Sequence, residues 1–334
     1  MKKRKVITKD KPSNINELVS EWTEKSGNPL ELHGTLDLLI VMRDHLYSQY
    51  QPFPEQPDYI DRLYAWVNQV ASTSDKKTLF KLAAWLLFVG SKEMHSLYRS
   101  SYADVVTRWV IDDAKIDITA SDANDEIRLA LRKTFFGSIA GMDIGSYCRR
   151  NGIQGQTFRP DFREQSEIGD LKALRNYLTG TFDRIVAVED FVGSGEQMEK
   201  ATECLSQLAE FPVLLSPILV ATEGFTVGLD LQTINSHVSF RPLFPLPRVN
   251  AVPGSSPPGY SEPPLNKRVR KLLTKVWPQT EGTSPTQPLY GPFGCGGVGS
   301  LVLTYLNCPD NVPPAIHHKS DTWEPLFRRA SREI

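Results

Sequence analysis

The chain has 334 residues, with 38 Lys and Arg against 39 Asp and Glu, 24 Pro, six His and four Cys. The resulting net charge of −1 excludes a globally basic nucleic-acid binder and an acidic disordered chain, and 40% hydrophobic residues suffice for a substantial core. Length predicts about two domains.

Residues 1–13 read as a flexible basic start, since six of the first eleven residues are Lys or Arg. They lead into no apolar signal segment, and a solvated terminus accounts for them more simply than a phosphate contact. Residues 14–125 read as a helical domain. SNINELVSEW opens with a cap at Ser13 or Asn14, Glu17 in the first turn, and Leu18 and Trp22 four apart. LDLLIVMRDHLYSQY predicts a second helix, and QPFPEQP breaks the pattern. YIDRLYAWVNQV then places Tyr59, Leu63 and Trp66 on one helical face. TLFKLAAWLLFVG is apolar nearly all round and predicts the central helix of a bundle, which MHSLYRSSYADVVTRWVIDD closes.

Residues 126–334 change character. Strand-like runs alternate with helical ones, the pattern of a parallel α/β sheet flanked by helices. TFFGSIAG (134–141), RIVAVED (184–190), VLLSPILVATEG (213–224) and HVSFRPLF (237–244) predict strands; GDLKALRNYLTG (169–180) and GEQMEKATECLSQLAEF (195–211) predict helices. The stretch 249–265 is a loop by composition. NKRVRKLLTKVW (266–277) follows as a helix with Arg268, Lys271 and Lys275 on one side, best accounted for as a solvated face. The longest apolar run, at 82–90, is far short of the ~20 residues of a membrane span. Cys148, Cys204, Cys295 and Cys308 form no CxxC pair, so a reduced, cytoplasmic chain is expected.

Chemistry concentrates in Arg184–Gln197, RIVAVEDFVGSGEQ. A buried strand runs into two carboxylates, Glu189 and Asp190. The small-residue loop Gly193-Ser194-Gly195 comes two residues later, and a helix starts at once. Glycines let the backbone fold tightly and turn N–H groups inward. The helix N-terminus adds roughly half a positive charge at the same spot, and Ser194 adds a hydroxyl. A monophosphate fits there, and carboxylates at the carboxyl end of a strand accept hydrogen bonds from ribose hydroxyls.

This segment resembles the ribose-phosphate motif of type I phosphoribosyltransferases: the apolar run Ile185–Val188, the acidic pair Glu189-Asp190, Phe191-Val192, then the loop Gly193-Ser194-Gly195-Glu196-Gln197. The resemblance implies that Glu189 and Asp190 hold the ribose 2′- and 3′-hydroxyls and that residues 193–197 hold the 5′-phosphate. Purine-using members often begin this loop with an acid that serves as base; Gly193 stands there instead. A pyrophosphate loop is implied after the first core strand, at Ser138, Gly141 and Asp143, and Glu223 stands where members carry an acid toward Mg²⁺.

GPFGCGGVGSLVLTYLNCPDNVPPAIHH and the terminal WEPLF resemble the end of the phosphoribosyltransferase-like proteins of bacterial conflict systems called PRTase-CE. That resemblance covers roughly residues 55–330. It implies a phosphoribosyltransferase-like sheet with a helical N-terminal domain and a C-terminal cap. It also implies an effector of an antiphage, possibly retron-type, system. Its ligand would be a nucleotide or phosphoribosyl pyrophosphate with Mg²⁺. Operon partners such as a reverse transcriptase or a DNA-binding protein, with their nucleic acid, are implied as well. Action at C1′ of the ribose and catalytically inactive sensing that switches a partner are both open. No membrane partner is expected.

Two other patterns carry less. Gly294–Gly299 spells GxGxxG, but a Pro-rich loop precedes it and the strand-like SLVLTYL follows, so a tight turn near the sugar-phosphate loop is expected rather than a dinucleotide site. His317-His318 has no third metal ligand, and Trp323 and Phe327, four apart, predict an apolar anchor.

Overall fold

Asn14 Oδ1 accepts the backbone N–H of Glu17 at 3.0 Å, while the Glu17 carboxylate accepts the N–H and hydroxyl of Ser13. This reciprocal cap starts α1 (Ile15–Glu24). The computed structural model describes residues 12–24, 29–163, 171–256, 259–280 and 290–330. The basic start at 1–11, part of the predicted loop at 257–258 and the Pro/Gly/Ser stretch at 281–289 lie outside these residues.

Helices α2 (Pro29–His45), α3 (Tyr59–Asn68) and α4 (Thr73–Ala83) follow. Asp58 caps α3 and Ser72 caps α4, each accepting a backbone N–H. Tyr59, Leu63 and Trp66 are all buried, as their spacing predicts.

The single helix expected over TLFKLAAWLLFVG is not formed. Helix α4 ends at Ala83, and β1 (Leu87–Val89) pairs in parallel with a C-terminal strand, Leu87 opposite Val302 and Val89 opposite Thr304. An apolar run this short suits a buried strand as well as a helix. The partner strand, more than 200 residues away, satisfies its backbone groups. Beyond it, α5 (Ser91–Ser100) continues through a π-helical turn at Ser101–Val106 into α6 (Thr107–Ala114), and α7 (Ala123–Arg132) leads to the sheet.

The central sheet is parallel, in the order β2 (Thr134–Ser138), β3 (Arg184–Val192), β4 (Val213–Val220), β5 (Val238–Phe240). The predicted single strand HVSFRPLF splits: β5 pairs the first half of β4, and β6 (Phe244–Pro245) pairs its end. The crossovers carry α8 (Ile144–Arg150), α9 (Leu171–Leu178), α10 (Glu196–Leu205) and α11 (Thr222–Ile234).

Alternating side chains split between two cores. Phe135, Ile185, Ala187, Val213 and Leu215 meet α9, α10 and the segment after it. Phe136, Val186, Val188, Leu214 and Ile218 join a larger core with Ile15, Trp66, Leu303 and Phe327. The N-terminal helices and the C-terminal segment thus cover one face together. Arg184, 5% exposed, ties them to the sheet by an ion pair to Asp113 (2.8 Å) and a bond to the Ala130 carbonyl.

Helix α12 (Pro264–Thr280) carries the basic stretch. Arg268 and Lys271 are exposed, and Lys275 pairs with Asp75 at 2.6 Å. After the β7–β8 hairpin (Tyr290–Gly291, Gly294–Cys295), β9 (Val302–Thr304) joins β1, and a single helical turn, α13 (Pro314–His317), follows. Trp66 and Trp323 both donate their indole N–H to the Ala315 carbonyl at 2.8 Å. Phe327 is buried among Tyr47, Tyr50 and Tyr59.

Candidate site at the carboxyl edge of the sheet

Parallel strands end at one edge. Ser138 closes β2, Val192 closes β3 and Val220 closes β4. The strand predicted to stop at Asp190 runs on to Val192 with all nine residues buried, so Glu189 and Asp190 lie inside it. Strand pleating sends these neighbours to opposite faces, and their surroundings differ accordingly.

Glu189, 3% exposed, faces the loop after β2. Its Oε2 accepts the Ala140 N–H at 2.7 Å and the Ser138 hydroxyl at 3.2 Å. The same Ser138 oxygen accepts N–H groups from Ala140 (3.2 Å), Gly141 (2.7 Å) and Met142 (3.0 Å). Gly141 permits the turn at φ 85°. Asp143 caps α8, accepting the Ser146 N–H at 3.0 Å, and pairs with Arg149 at 3.5 Å.

Asp190, 8% exposed, meets no hydrogen-bond or ion-pair partner among the described residues. Its electrostatic neighbours are Tyr98 and Tyr305. Burial pushes the Tyr98 phenol far up, and the charges of Asp190, Glu189 and Asp143 add to the rise. Burial also raises Tyr305, with Asp143 and Asp190 reinforcing the shift and Arg150 opposing it.

The third part is the glycine loop. Gly195, at φ 92°, is the N-terminal cap of α10, and Glu196 and Gln197 form its first turn. Among the described residues no backbone group accepts from the N–H of Ser194, Gly195, Gln197 or Met198; the four first amides of a helix lack intrahelical partners. Glu196 pairs with Lys200 at 3.0 Å, and Gln197 is exposed. The Gly224 N–H donates to the Gly193 carbonyl at 2.9 Å, which fixes the loop against the head of α11. Glu223, in that helix's first turn, lines a small cavity with Arg248 and Tyr260.

The structure therefore brings Ser138, Gly141 and Glu189 into one hydrogen-bonded unit, places Gly193–Gln197 and Glu223 together, and sets Asp190 on the opposite face of β3 from Glu189. Two contributors escaped sequence reasoning, Asn311 and Tyr98. The Asn311 side chain lies so close to Gly193 that any Cβ there would overlap it; its amide donates to the Cys295 carbonyl at 2.9 Å. A Cβ on Gly296 would stand 2.6 Å from that of Ser194. The GxGxxG run is thus a turn pressed onto the glycine loop and followed by β9, not by a helix. Tyr98, on α5, carried no signal of its own in the sequence.

Among the described residues no three His, Cys, Asp or Glu side chains converge as a metal site. Asp190 and Glu223 alone do not fit a protein-held Mg²⁺ ion, whose octahedral shell would come mostly from ligand and water. Burial pushes the Cys295 thiol up to about 11, so it offers no thiolate nucleophile at neutral pH. Burial pushes His317 down to about 3, and its ring bonds the Val312 carbonyl at 3.0 Å, a structural role.

A parallel sheet with a strand–acid–glycine loop–helix corner at its carboxyl edge defines a phosphoribosyltransferase-like α/β protein. The PRTase-CE family model matches residues 63–329, most of the chain, and the protein belongs to that family. No curated protein and no solved structure matches it. No helix among the described residues is long and apolar enough to cross a membrane.

Proposed function

We propose that this protein binds a ribose 5-phosphate unit, carried by a nucleotide or by phosphoribosyl pyrophosphate, and acts at its C1′ by transfer or glycosidic cleavage. The observation that carries this reading is Asp190: a carboxylate 8% exposed, with no partner among the described residues, at the sheet edge where the amides of Ser194, Gly195, Gln197 and Met198 have no backbone acceptor among those residues. The 5′-phosphate takes those amides, the Ser194 hydroxyl and the positive end of α10. The ribose hydroxyls donate to Asp190. Glu189 adds indirectly by holding the β2 loop, because a hydroxyl reaching it must compete with the Ala140 N–H and Ser138. Charge developing on the sugar would be met by fixed electrostatics rather than by a nucleophile. Mg²⁺ enters only as an ion borne by ligand phosphate, with Glu223 as the nearest spare carboxylate to that loop.

A second reading is a nucleotide-sensing module without catalysis. Two observations favour it. Burial raises the phenols of Tyr98 and Tyr305, the groups that feel the Asp190 charge, so neither serves as a general base at neutral pH. The C-terminal cap also touches the glycine loop through Asn311 and Gly296, so ligand occupancy reaches the cap directly. Under either reading the family resemblance supports a cytoplasmic effector of an antiphage, retron-type system. It would work with operon partners such as a reverse transcriptase or a DNA-binding protein and their nucleic acid.

The test is incubation of the full chain with a panel of nucleotides, NAD and phosphoribosyl pyrophosphate, with product masses read by chromatography and binding by calorimetry. Turnover lost in Asp190→Asn establishes the enzyme. Saturable binding lost in that variant, without turnover alone or with operon partners, establishes the sensor. Neither turnover nor binding removes the ribose-phosphate site.

A further inference from the structure

We infer that the site takes a nucleoside 5′-monophosphate and excludes a pyrophosphate group at C1′, an inference that rests on the ribose-phosphate reading above. An anion held by a loop needs amide N–H groups that have no other acceptor. The loop after β2 has none to spare over four consecutive residues. The Ile139 N–H donates to the Val188 carbonyl at 2.9 Å. The Ala140 N–H goes to Glu189 and Ser138, and the N–H groups of Gly141 and Met142 go to Ser138. The Ser138 hydroxyl is thus the stand-in for the anion, and it donates its own proton to Glu189.

Local charge acts in the same direction. A pyrophosphate on this loop would approach the buried Glu189 carboxylate and the Asp143 carboxylate. The nearby cation Arg149 already pairs with Asp143. Like charges oppose binding. The glycine loop at the other strand end keeps its amides for one phosphate. Among the described residues, this edge of the sheet therefore supplies one anion cradle, matched to a monophosphate. The neutral base of a nucleoside meets no such repulsion.

The decisive measurement is calorimetric titration of the full chain with ribose 5-phosphate, AMP, inorganic pyrophosphate and phosphoribosyl pyrophosphate, each with and without Mg²⁺. The expected result is that ribose 5-phosphate or AMP binds, pyrophosphate does not, and phosphoribosyl pyrophosphate gains less than threefold over ribose 5-phosphate. Ser138→Ala frees the Gly141 and Met142 amides, while Ala140 keeps Glu189, and is expected to raise phosphoribosyl pyrophosphate affinity at least tenfold relative to ribose 5-phosphate. Wild-type binding of phosphoribosyl pyrophosphate tenfold or more tighter than ribose 5-phosphate overturns this inference and leaves the ribose-phosphate reading standing. Absence of binding by every ribose phosphate overturns both. A folded Ser138→Ala protein with no gain overturns the assignment to Ser138. Should that variant not fold, the wild-type ratio decides alone.

Discussion

Two strands end side by side at one edge of the sheet, and their loops use the same kind of donor in opposite ways. After β2, four successive amides are satisfied inside the protein by Ser138, Glu189 and Val188. After β3, the amides at the head of α10 have no backbone acceptor among the described residues. The acidic pair divides along the same line, since Glu189 serves the first loop and Asp190 bonds no group among the described residues. A closed loop stabilises the fold; an open one is kept for a ligand. This is the usual division between structural and functional polar groups, where free donors at a binding site cost stability.

The largest effect is expected where the cap meets the open loop. Gly193→Ala drives a methyl into the Asn311 side chain and should cost about 3 kcal/mol in denaturant unfolding. Adding Asn311→Ala should recover part of that loss, and a strictly additive double variant would break the proposed contact. Next comes the contrast between the two carboxylates. Asp190→Asn should weaken ribose-phosphate binding tenfold to a hundredfold, roughly the loss of one or two charge-assisted hydrogen bonds, with stability unchanged within about 0.5 kcal/mol. Glu189→Ala should do the reverse, costing about 2 kcal/mol of stability by removing the shorter acceptor of the Ala140 N–H and the acceptor of the buried Ser138 hydroxyl. Equal stability losses in both variants would erase the division.

Acid should loosen the cap. His317 is buried and neutral, with its pKa held near 3 by burial, against ~6.5 in the unfolded chain. Between those values the unfolded state binds more protons, so stability falls as pH drops through that window. About 2 kcal/mol should be lost by pH 5, and His317→Gln should remove that component from the pH profile. The smallest effect belongs to Gln197→Ala. The side chain is exposed and the loop works through backbone amides, so affinity should shift less than threefold. A larger loss would move phosphate recognition from the backbone to this side chain.

The motif at 184–197 was legible because its parts are contiguous: an apolar strand, two acids, small residues and a helix start. Helices α1 and α3 were legible for the same reason, through caps and a 3.6-residue period. The strand at Leu87–Val89 was not, because its hydrogen-bond partner at Val302–Thr304 is remote in sequence. Nor was the role of Asn311, since nothing near Pro309–Pro314 signals that its side chain reaches Gly193.

Sequence alone determined which residues carry charge, which runs are buried and where the glycine loop sits, because those follow from residue type and spacing along the chain. Tertiary structure decided what each polar group faces. Strand pleating turned Glu189 and Asp190 to opposite faces, the carbonyl and hydroxyl partners of the β2 loop closed it, and the returning C-terminal segment laid its cap on the other loop. Those outcomes depend on which remote groups arrive within hydrogen-bond distance, and local pattern holds no information about that.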